Sequence, residues 1–162
     1  MGPLRVSGPA RPGIRVVRTT KAPPAIGAYA HAVAAGGFLF VSGQGARDVA
    51  TGREVGVECD ADGRVLRYDV AAQTAQVLEN LRTVLAEAGA GFSDLVDVTV
   101  FLRRMEDFPT YNEVYARHFT EHTPARTTVG VADLPGRNAI EVKATAWVGT
   151  DGGAERRDGE RE

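Results

Sequence analysis

Two residues, Arg126 and Glu141, have the types and the spacing that suggest chemistry. Arg126 opens "RTTVGVA" (126–132), a run with the composition of a buried strand, so a permanent cation stands where a dry segment is expected. Glu141 lies early in a second predicted strand, 138–148. A guanidinium offers a planar pair of donors that suits a carboxylate, and a carboxylate can orient a water molecule or move a proton.

Two interpretations of this pair are open. A short turn, 134–138, joins the two strands and predicts an antiparallel pair, in which Arg126 and Glu141 form a cross-strand salt bridge. Alternatively, the two residues belong to a site at the seam between two subunits, where an anionic ligand is the partner of Arg126. The second interpretation requires an oligomer.

The composition bounds the class of protein. The chain has 162 residues, 43% of them hydrophobic and 25% charged, which suits one domain with one core. Its net charge of −2 lacks the basic surface of a nucleic-acid binder. The single cysteine, Cys59, has no intrachain disulfide partner, and no apolar run is long enough to cross a membrane. With no signal-peptide pattern at the N-terminus, these features predict a cytoplasmic protein.

Hydrophobic periodicity predicts an α+β fold in the order ββαβαββ, with both helices on one face of the sheet. The first helix runs from an N-cap at Asp69 to Gly89, and the second from an N-cap at Asp107 to a point before Pro124. The five strands of this order are predicted at 29–35, 38–43, 96–102, 126–132 and 138–148, and 14–19 is a candidate for a short strand before them.

The remaining segments are predicted to lack regular structure. Residues 44–69 are polar and read as a long loop. A flexible segment, 1–13, precedes the single domain at 14–148, and a disordered charged tail, 149–162, follows it.

The predicted sheet has two apolar faces but only two helices to cover them. Trp147 shares one face of the last strand with Glu141, Lys143 and Thr145, opposite the small and aliphatic residues of the other face. The minor face of strand 96–102 carries Phe101, and both faces of strand 38–43 are apolar, with Phe38 and Phe40 on one and Leu39 and Val41 on the other. Since a large exposed apolar patch usually marks an interface, the sequence predicts a homo-oligomer whose sheets face each other.

Three other features are predicted to carry no chemistry. The segment "HFTEH", His118 to His122, fits the inverted zinc-protease pattern H-x-x-E-H, but it ends a helix and has no evident third ligand, so no metal is predicted. Cys59 has no basic neighbour to activate it, and His31, in a predicted strand, is expected to be a packed or edge histidine rather than a ligand.

Six segments in order resemble one known family. They are "APPAIGAYAHAV", "FLFVSGQ", "QTAQVLENLRTVLAEAG", "DFPTYNEVYARHF", "PARTTVGVADLP" and "IEVKATA", and they span roughly residues 22–148. Together they resemble the reactive-intermediate deaminases, the Rid or YjgF-like family. The resemblance implies a chorismate-mutase-like fold, a homotrimer with active sites at the subunit interfaces, and cofactor-free hydrolysis of 2-imino or 2-enamino acids to 2-oxo acids and ammonia.

The resemblance also assigns roles by position. Arg126 resembles the arginine that clamps the substrate carboxylate, and Glu141 the acid that orients the water. The residues that resemble substrate-binding positions are Tyr29, Ser42, Gly43, Asn112 and Thr128.

Two positions depart from the family pattern. Ala28 stands where the family often has proline before the tyrosine, and Thr128 where many members have cysteine. The second change removes a thiol from the implied pocket.

A narrower resemblance, carried by "RTTV", "YNEVY", "IEVKA" and "DADGRVLRYDVAAQT", is to the 2-aminomuconate deaminase branch. The substrate of that branch carries two carboxylates, which implies a second cation. Arg47, Arg53, Arg67 and Lys143 are the candidates.

Three other functions remain as alternatives. A trimer that binds 2-oxo acids without turnover would use the same pocket. A ribonuclease or translation inhibitor is disfavoured by the acidic balance of the chain. A chaperone or structural trimer would tolerate the loss of Arg126.

Overall fold

The computed structural model describes residues 12–149. The predictions for the two ends, 1–13 and 149–162, therefore lie outside the described residues except at their inner edges. The strands are β1 Ile14–Val17, β2 Ala32–Ala35, β3 Phe38–Gln44, β4 Val57–Cys59, β5 Val65–Tyr68, β6 Leu95–Leu102, β7 Ala125–Gly130 and β8 Ile140–Trp147, and the helices are α1 Val70–Glu87 and α2 Phe108–Ala116. The predicted mixed α+β class is confirmed.

The main sheet has six strands in the order β1-β2-β3-β8-β6-β7, with only the β6–β7 pair parallel. Helix α1 begins where Asp69 accepts a hydrogen bond from the amide of Ala72, as its sequence predicts. The helix buries one apolar stripe, including Val77, Leu81 and Leu85, against the sheet. This layer forms the core and leaves the other face of the sheet open.

The predicted pairing of the last two strands is wrong. Strand β6 lies between β7 and β8, with Arg126 beside Val98 and Glu141 beside Phe101. Because α2 lies in the connection from β6 to β7, β7 can lie parallel to β6 at the edge of the sheet, and the chain then crosses to the far side of β6 to start β8. No salt bridge joins Arg126 to Glu141, so the cross-strand interpretation is also wrong.

The prediction of a buried strand at 126–132 is wrong for the protomer. Five of the six residues of β7 are exposed, and only Thr128 is half-buried. An edge strand has a neighbour on one side only, which a run of apolar and β-branched residues does not reveal. Arg126 and Thr128 point to the helix side of the sheet, in register with the buried Val98 and Val100.

The segment 44–69 is more ordered than predicted. It contains the antiparallel pair β4–β5, and an isolated bridge joins Arg47 to Glu54. The turn between β4 and β5 is held by Asp60, whose carboxylate accepts hydrogen bonds from the amides of Asp62 and Arg64. A local side-chain turn of this kind needs no apolar periodicity, which is why the pattern missed it.

Helix α2 is shorter than predicted and ends at Ala116. Threonines at 120 and 123 and Pro124 disfavour helix in the following segment. Phe119 is nevertheless buried, as expected, because it stacks on Tyr115 with ring centroids 4.2 Å apart.

The open face of the sheet carries the predicted aromatic residues. Phe38 and Trp147 contact each other at a centroid distance of 4.9 Å, and both remain substantially exposed, as does Phe40. Residues 140, 142, 144 and 146 of β8 are buried on the helix side, which confirms the predicted alternation. None of the helices in the described part of the chain is long and apolar enough to cross a membrane.

Candidate functional site

A cleft of about 570 Å³ opens where β3 and β8 meet. Their pairing shifts register between Val41 and Gln44, which separates the strand ends and makes room for the cleft. Four of the predicted site residues line it, namely Tyr29, Ser42, Gly43 and Glu141. The other three, Arg126, Asn112 and Thr128, do not.

Glu141 lies directly against the backbone of Gly43. A Cβ atom at position 43 would overlap Glu141 Oε1, so only glycine permits this approach. The carboxylate is half-buried and makes no hydrogen bond or ion pair with any residue in 12–149. Burial without such a partner raises the pKa of Glu141 above its ordinary value. The site therefore holds a carboxylate with unusual affinity for a proton.

Ser42 and Tyr29 build the wall beside Glu141. The Ser42 hydroxyl donates to the carbonyl of Ala30 at 2.7 Å, and its amide donates to the carbonyl of His31 at 3.0 Å. The Tyr29 hydroxyl accepts from the amide of Ile26 at 3.2 Å, and the side of its ring remains accessible. The Ser42 carbonyl accepts from Gln44 Nε2 at 2.8 Å, so the hydroxyl, the amide and the carbonyl of Ser42 all serve to anchor the strand end.

His31 is a packed histidine, as predicted. Its Nε2 donates to the carbonyl of Pro23 at 3.0 Å, and its Nδ1 accepts from the amide of Thr19. Both ring nitrogens are occupied by the backbone, and the ring helps to fix the segment that carries Tyr29.

Buried amide side chains that the sequence analysis missed shape the opposite wall. Asn80 donates to the carbonyls of Gly45 and Arg47, both at 2.9 Å. Asn138 accepts from the amide of Ala46 at 2.8 Å and donates to the carbonyl of Pro135 at 2.7 Å. The available signal was an amide residue within the apolar stripe of α1, where a polar side chain needs a buried partner.

Two of the four candidate second cations line the cleft. Lys143 lies on the same side of β8 as Glu141 and makes no hydrogen bond or ion pair within the described chain. Arg47 donates to the carbonyl of Pro24 at 2.6 Å. Arg67 pairs with Glu58 at 3.1 Å instead, and neither it nor Arg53 lines the cleft.

The remaining predicted site residues form a second cluster at the edge of the sheet. The guanidinium carbon of Arg126 lies over the ring of Tyr115, 4.6 Å from its centroid, and 5.5 Å from that of Tyr111. Thr128 Oγ1 and the Tyr111 hydroxyl share a hydrogen bond of 2.5 Å. Asn112 is half-buried on the same helix, next to Tyr111.

The two clusters do not meet within one protomer. Arg126 and Glu141 lie on opposite faces of the sheet and flank β6 on either side, with registers three residues apart. With ordinary strand spacing their Cα atoms are roughly 14 Å apart. One small molecule therefore cannot contact both side chains of the same protomer.

The histidines of "HFTEH" are engaged separately. His118 Nδ1 lies 3.2 Å from Arg82 Nη2, and His122 Nε2 donates to the carbonyl of Leu95 at 2.6 Å. Burial, and next the charge of Arg82, lower the pKa of His118. Both histidines follow the end of α2, so the helical geometry that the zinc motif requires is absent. Within residues 12–149, no three His, Cys, Asp or Glu side chains are grouped to hold a metal.

The structure identifies a class of protein, a small α+β domain with a carboxylate in a cleft and a cation on its edge strand. These features do not by themselves identify a reaction. The family model described as Endoribonuclease L-PSP matches residues 19–148. A RutC family protein of Pyrococcus horikoshii is 42% identical over 82% of this chain and 96% of its own length. The chain therefore belongs to the Endoribonuclease L-PSP family, which is the RidA or YjgF-like group predicted from the sequence.

Relatives in this family carry different names. The human protein named 2-iminobutanoate/2-iminopropanoate deaminase is 37% identical over 83% of this chain and 90% of its own length. A Thermotoga maritima structure described as a putative endoribonuclease is 43% identical, with a TM-score of 0.72 over 82% of this chain and 96% of that one. The structure of E. coli TdcF with bound serine is 34% identical, with a TM-score of 0.71 over 82% and 98% of the two chains.

Proposed function

We propose that the protein is a cofactor-independent hydrolytic deaminase that converts 2-imino and 2-enamino acids into 2-oxo acids and ammonia. The observation that carries the proposal is the pair of unmatched charges. Within residues 12–149, neither the Glu141 carboxylate over Gly43 in the cleft nor the Arg126 guanidinium on the edge strand has a hydrogen bond or an ion pair. Relatives named as imine deaminases support this choice of reaction.

The proposed site is completed by a second copy of the chain. Phe38, Phe40 and Trp147 leave an aromatic patch on the open face, which favours contact with another subunit. In the homotrimer that the family resemblance implies, Arg126 of the partner subunit reaches the cleft that holds Glu141. Asn112 and Thr128 of the partner subunit accompany it, because they share its edge cluster.

In the proposed mechanism, Arg126 binds the substrate carboxylate through two N–H donors and so places the C2 carbon near Glu141. Glu141 accepts a proton from water while the water oxygen attacks C2, and the C=N double bond becomes a C–N single bond. The protonated Glu141 returns this proton to nitrogen, which gives a tetrahedral 2-amino-2-hydroxy acid. The hydroxyl group then loses its proton to Glu141, which passes it to nitrogen as the C–N bond breaks and the C=O bond forms. A 2-enamino acid first becomes the imine by moving a proton from nitrogen to C3. The products are a 2-oxo acid and ammonia, and Glu141 is regenerated. A raised pKa suits a group that must both accept and return a proton.

The narrower proposal is 2-aminomuconate as substrate, whose second carboxylate requires a second cation. Lys143 is the best placed of the candidates because it lines the cleft and has no partner in the described chain. Arg47 is the runner-up, since one of its donors is already bound to Pro24.

The test of the proposed function generates imino acids in situ from alanine, leucine and 2-aminobutanoate with an amino acid oxidase. Faster ammonia release with the protein than without it is the expected result, and 2-aminomuconate is assayed in parallel. Ammonia release that is unchanged for every substrate, by protein of confirmed oligomeric state, would refute the deaminase proposal.

The alternative is a trimer that binds 2-oxo acids without turnover. The structure of a relative described with bound serine favours small amino- or oxo-acid ligands in this family without requiring catalysis. Pyruvate binding with no ammonia release would support this alternative. A ribonuclease is less favoured, because the cleft balances Arg47 and Lys143 with Glu54 and Glu141 and so lacks the positive groove of an RNA site.

The proposed place of action is the cytoplasm, where a lone thiol such as Cys59 stays reduced.

A further inference from the structure

Arg126 lies against two tyrosine rings of α2, Tyr111 and Tyr115, which we call the aromatic shelf. Its guanidinium carbon is 4.6 Å from the centroid of Tyr115 and 5.5 Å from that of Tyr111. Both distances are within the range of a cation–π interaction. The contact connects the edge strand to the helix that packs beside it.

The aromatic shelf is fixed in place although Arg126 is exposed. Tyr111 is fully buried, and its hydroxyl is bound to Thr128, two residues beyond Arg126 on the same side of β7. Tyr115 is 6% exposed and stacks on Phe119 with centroids 4.2 Å apart. The rings therefore have little freedom, and a guanidinium held against them loses rotational freedom before any ligand arrives.

The contact leaves the donors of Arg126 available. Arg126 makes no hydrogen bond or ion pair with any other residue between 12 and 149. The shelf also brings no negative charge, because burial raises the pKa of Tyr115 to about 12, with a smaller opposing effect of Arg126. A carboxylate counter-ion would hold the arginine equally well but would occupy the donors that an anionic ligand needs.

We infer that Tyr111 and Tyr115 are positioning residues, which hold the Arg126 guanidinium by its π-contact so that its N–H donors stay free and oriented for a carboxylate. This inference rests on the proposed function, in which Arg126 binds the substrate. On this inference, the rings of the two tyrosines, and not their hydroxyl groups, support the binding of an anion by Arg126.

The hydroxyl of Tyr115 allows a positioning role of the ring to be distinguished from a role in packing. It is buried and has no hydrogen-bond partner, unlike the other buried side-chain polar atoms of the described chain. Tyr115→Phe therefore removes an unsatisfied group and keeps the ring, whereas Tyr115→Leu removes the ring. If Tyr115 served only in packing, any loss of side-chain volume at this position would lower stability. The orientation of the Arg126 guanidinium would then not depend on the ring.

The chain offers a matched control in another cation–π pair. The guanidinium carbon of Arg82 lies 5.0 Å from the ring centroid of Phe92. Phe92 stacks on Phe119 with centroids 5.2 Å apart, on the side of Phe119 away from Tyr115 in the series of stacked rings. Phe92→Leu thus removes a comparable ring from the same cluster without touching the aromatic shelf.

The first measurement is the NMR signal of the Arg126 side-chain Nε–H group, assigned by its loss in Arg126→Lys. Ring currents displace this signal while the guanidinium lies over Tyr115. We expect Tyr115→Phe and Phe92→Leu to keep the displacement and Tyr115→Leu to abolish it. An unchanged Arg126 signal in folded Tyr115→Leu protein overturns the inference, whether or not the protein has enzymatic activity.

The second measurement is pyruvate affinity, with KM and kcat for the imine of 2-aminobutanoate. Loss of a cation–π contact worth about 1–2 kcal/mol corresponds to about a five- to thirty-fold weaker pyruvate affinity in Tyr115→Leu. We expect KM to rise by a similar factor, with kcat changed far less. Equal losses in Phe92→Leu would show that packing, not positioning, is responsible.

Two further outcomes have defined meanings. If Tyr115→Leu does not fold, Tyr115→Met replaces it, because methionine fills the volume without an aromatic face. If wild-type protein neither hydrolyses imines nor binds pyruvate, the proposed function fails, while the Arg126 signal still decides whether the shelf orients the guanidinium.

Discussion

The cleft and the edge cluster are built in opposite ways. Around Glu141 the wall is backbone, with Gly43 pressed against the carboxylate and Ser42 fastened to the carbonyl of Ala30. Around Arg126 the support is aromatic, from Tyr111 and Tyr115. The cleft permits a close approach because Gly43 has no side chain, whereas the edge cluster orients one long side chain by placing two rings against its guanidinium group.

Each region leaves its charged group without a hydrogen bond or ion pair to the part of the chain that the structure describes. The exposed arginine is still hydrated, so its lack of a counter-ion costs little, whereas the half-buried glutamate responds by a raised pKa. Under the proposed function, each region supplies half of a site, and a second copy of the chain supplies the other half. The predictions below test whether the halves work together, and they run from the largest expected effect to the smallest.

Arg126→Ala is expected to lower kcat/KM by about two to three orders of magnitude, because a bidentate charge-assisted contact is lost. Arg126→Lys should recover little, since lysine keeps the charge but not the planar fork. Steady-state kinetics on oxidase-generated imines make the measurement. Circular dichroism and solution mass should be unchanged, and unfolding of Arg126→Ala would instead assign the residue to stability.

Glu141→Gln is expected to lower kcat by about a hundredfold while pyruvate binding is retained. Mixing this variant with Arg126→Ala, under conditions that allow subunit exchange, should restore turnover at about one site in four if each site uses two subunits. Absence of any recovery in verified mixed oligomers would show that the two residues do not share an interfacial site.

As the pH is lowered, the wild-type protein is expected to begin losing activity at a higher pH than it would if the pKa of Glu141 were ordinary. A general base must be deprotonated, and burial raises the pKa of Glu141, so protonation removes the base earlier as the pH is lowered. The acidic limb of the kcat/KM profile makes the measurement, with unfolding followed separately. A limb at the pKa of an exposed glutamate would contradict this account of the cleft.

Gly43→Ala is expected to displace the Glu141 carboxylate, because the added Cβ would overlap its Oε1. Because the overlapped atom ends a flexible side chain, the carboxylate can move away at little cost in stability, and its displacement should appear as about a tenfold or greater loss of turnover. Gly91→Ala is the matched control, since a Cβ there would meet only Ser93 Oγ at 4.0 Å. Similar effects of both substitutions would leave no special role for Gly43.

Trp147→Asp is expected to weaken self-association, because it places a charge in the proposed interface. Analytical ultracentrifugation over a concentration series should show a trimer for wild-type protein and dissociation of the variant at higher concentrations. Leu66→Asp is the control on an exposed apolar residue of the β4–β5 hairpin, outside the aromatic patch. A monodisperse wild-type monomer at micromolar concentration would reject the shared site.

Thr128→Val is expected to have the smallest effect. It breaks the hydrogen bond to Tyr111 and should lower the free energy of unfolding by about 1–3 kcal/mol, because the Tyr111 hydroxyl is left buried and unpaired. Chemical denaturation makes the measurement. Thr127→Val, on the opposite face of β7, is the matched control and should change stability less.

Much of the fold was predictable because periodicity is local. The apolar stripe of α1, its cap at Asp69 and the alternation along β8 follow from spacing within one element. The structure places Tyr29, Gly43 and Glu141, which the family pattern names as site residues, at one cleft, and their roles stay predictions. Asn80 and Asn138 were missed because their partners are backbone groups of distant loops, which no local pattern contains.

By itself, the sequence determined the two helices, the strands of the main sheet and the two apolar faces of that sheet, and it singled out Arg126 and Glu141, but it missed the β4–β5 pair. Only the tertiary structure decided that β6 separates β7 from β8, and so that Arg126 and Glu141 lie on opposite faces of the sheet. The physical reason is that strand order depends on contacts between distant parts of the chain. A short turn such as 134–138 limits the distance between the ends of two strands, but it does not determine whether those strands pair with each other.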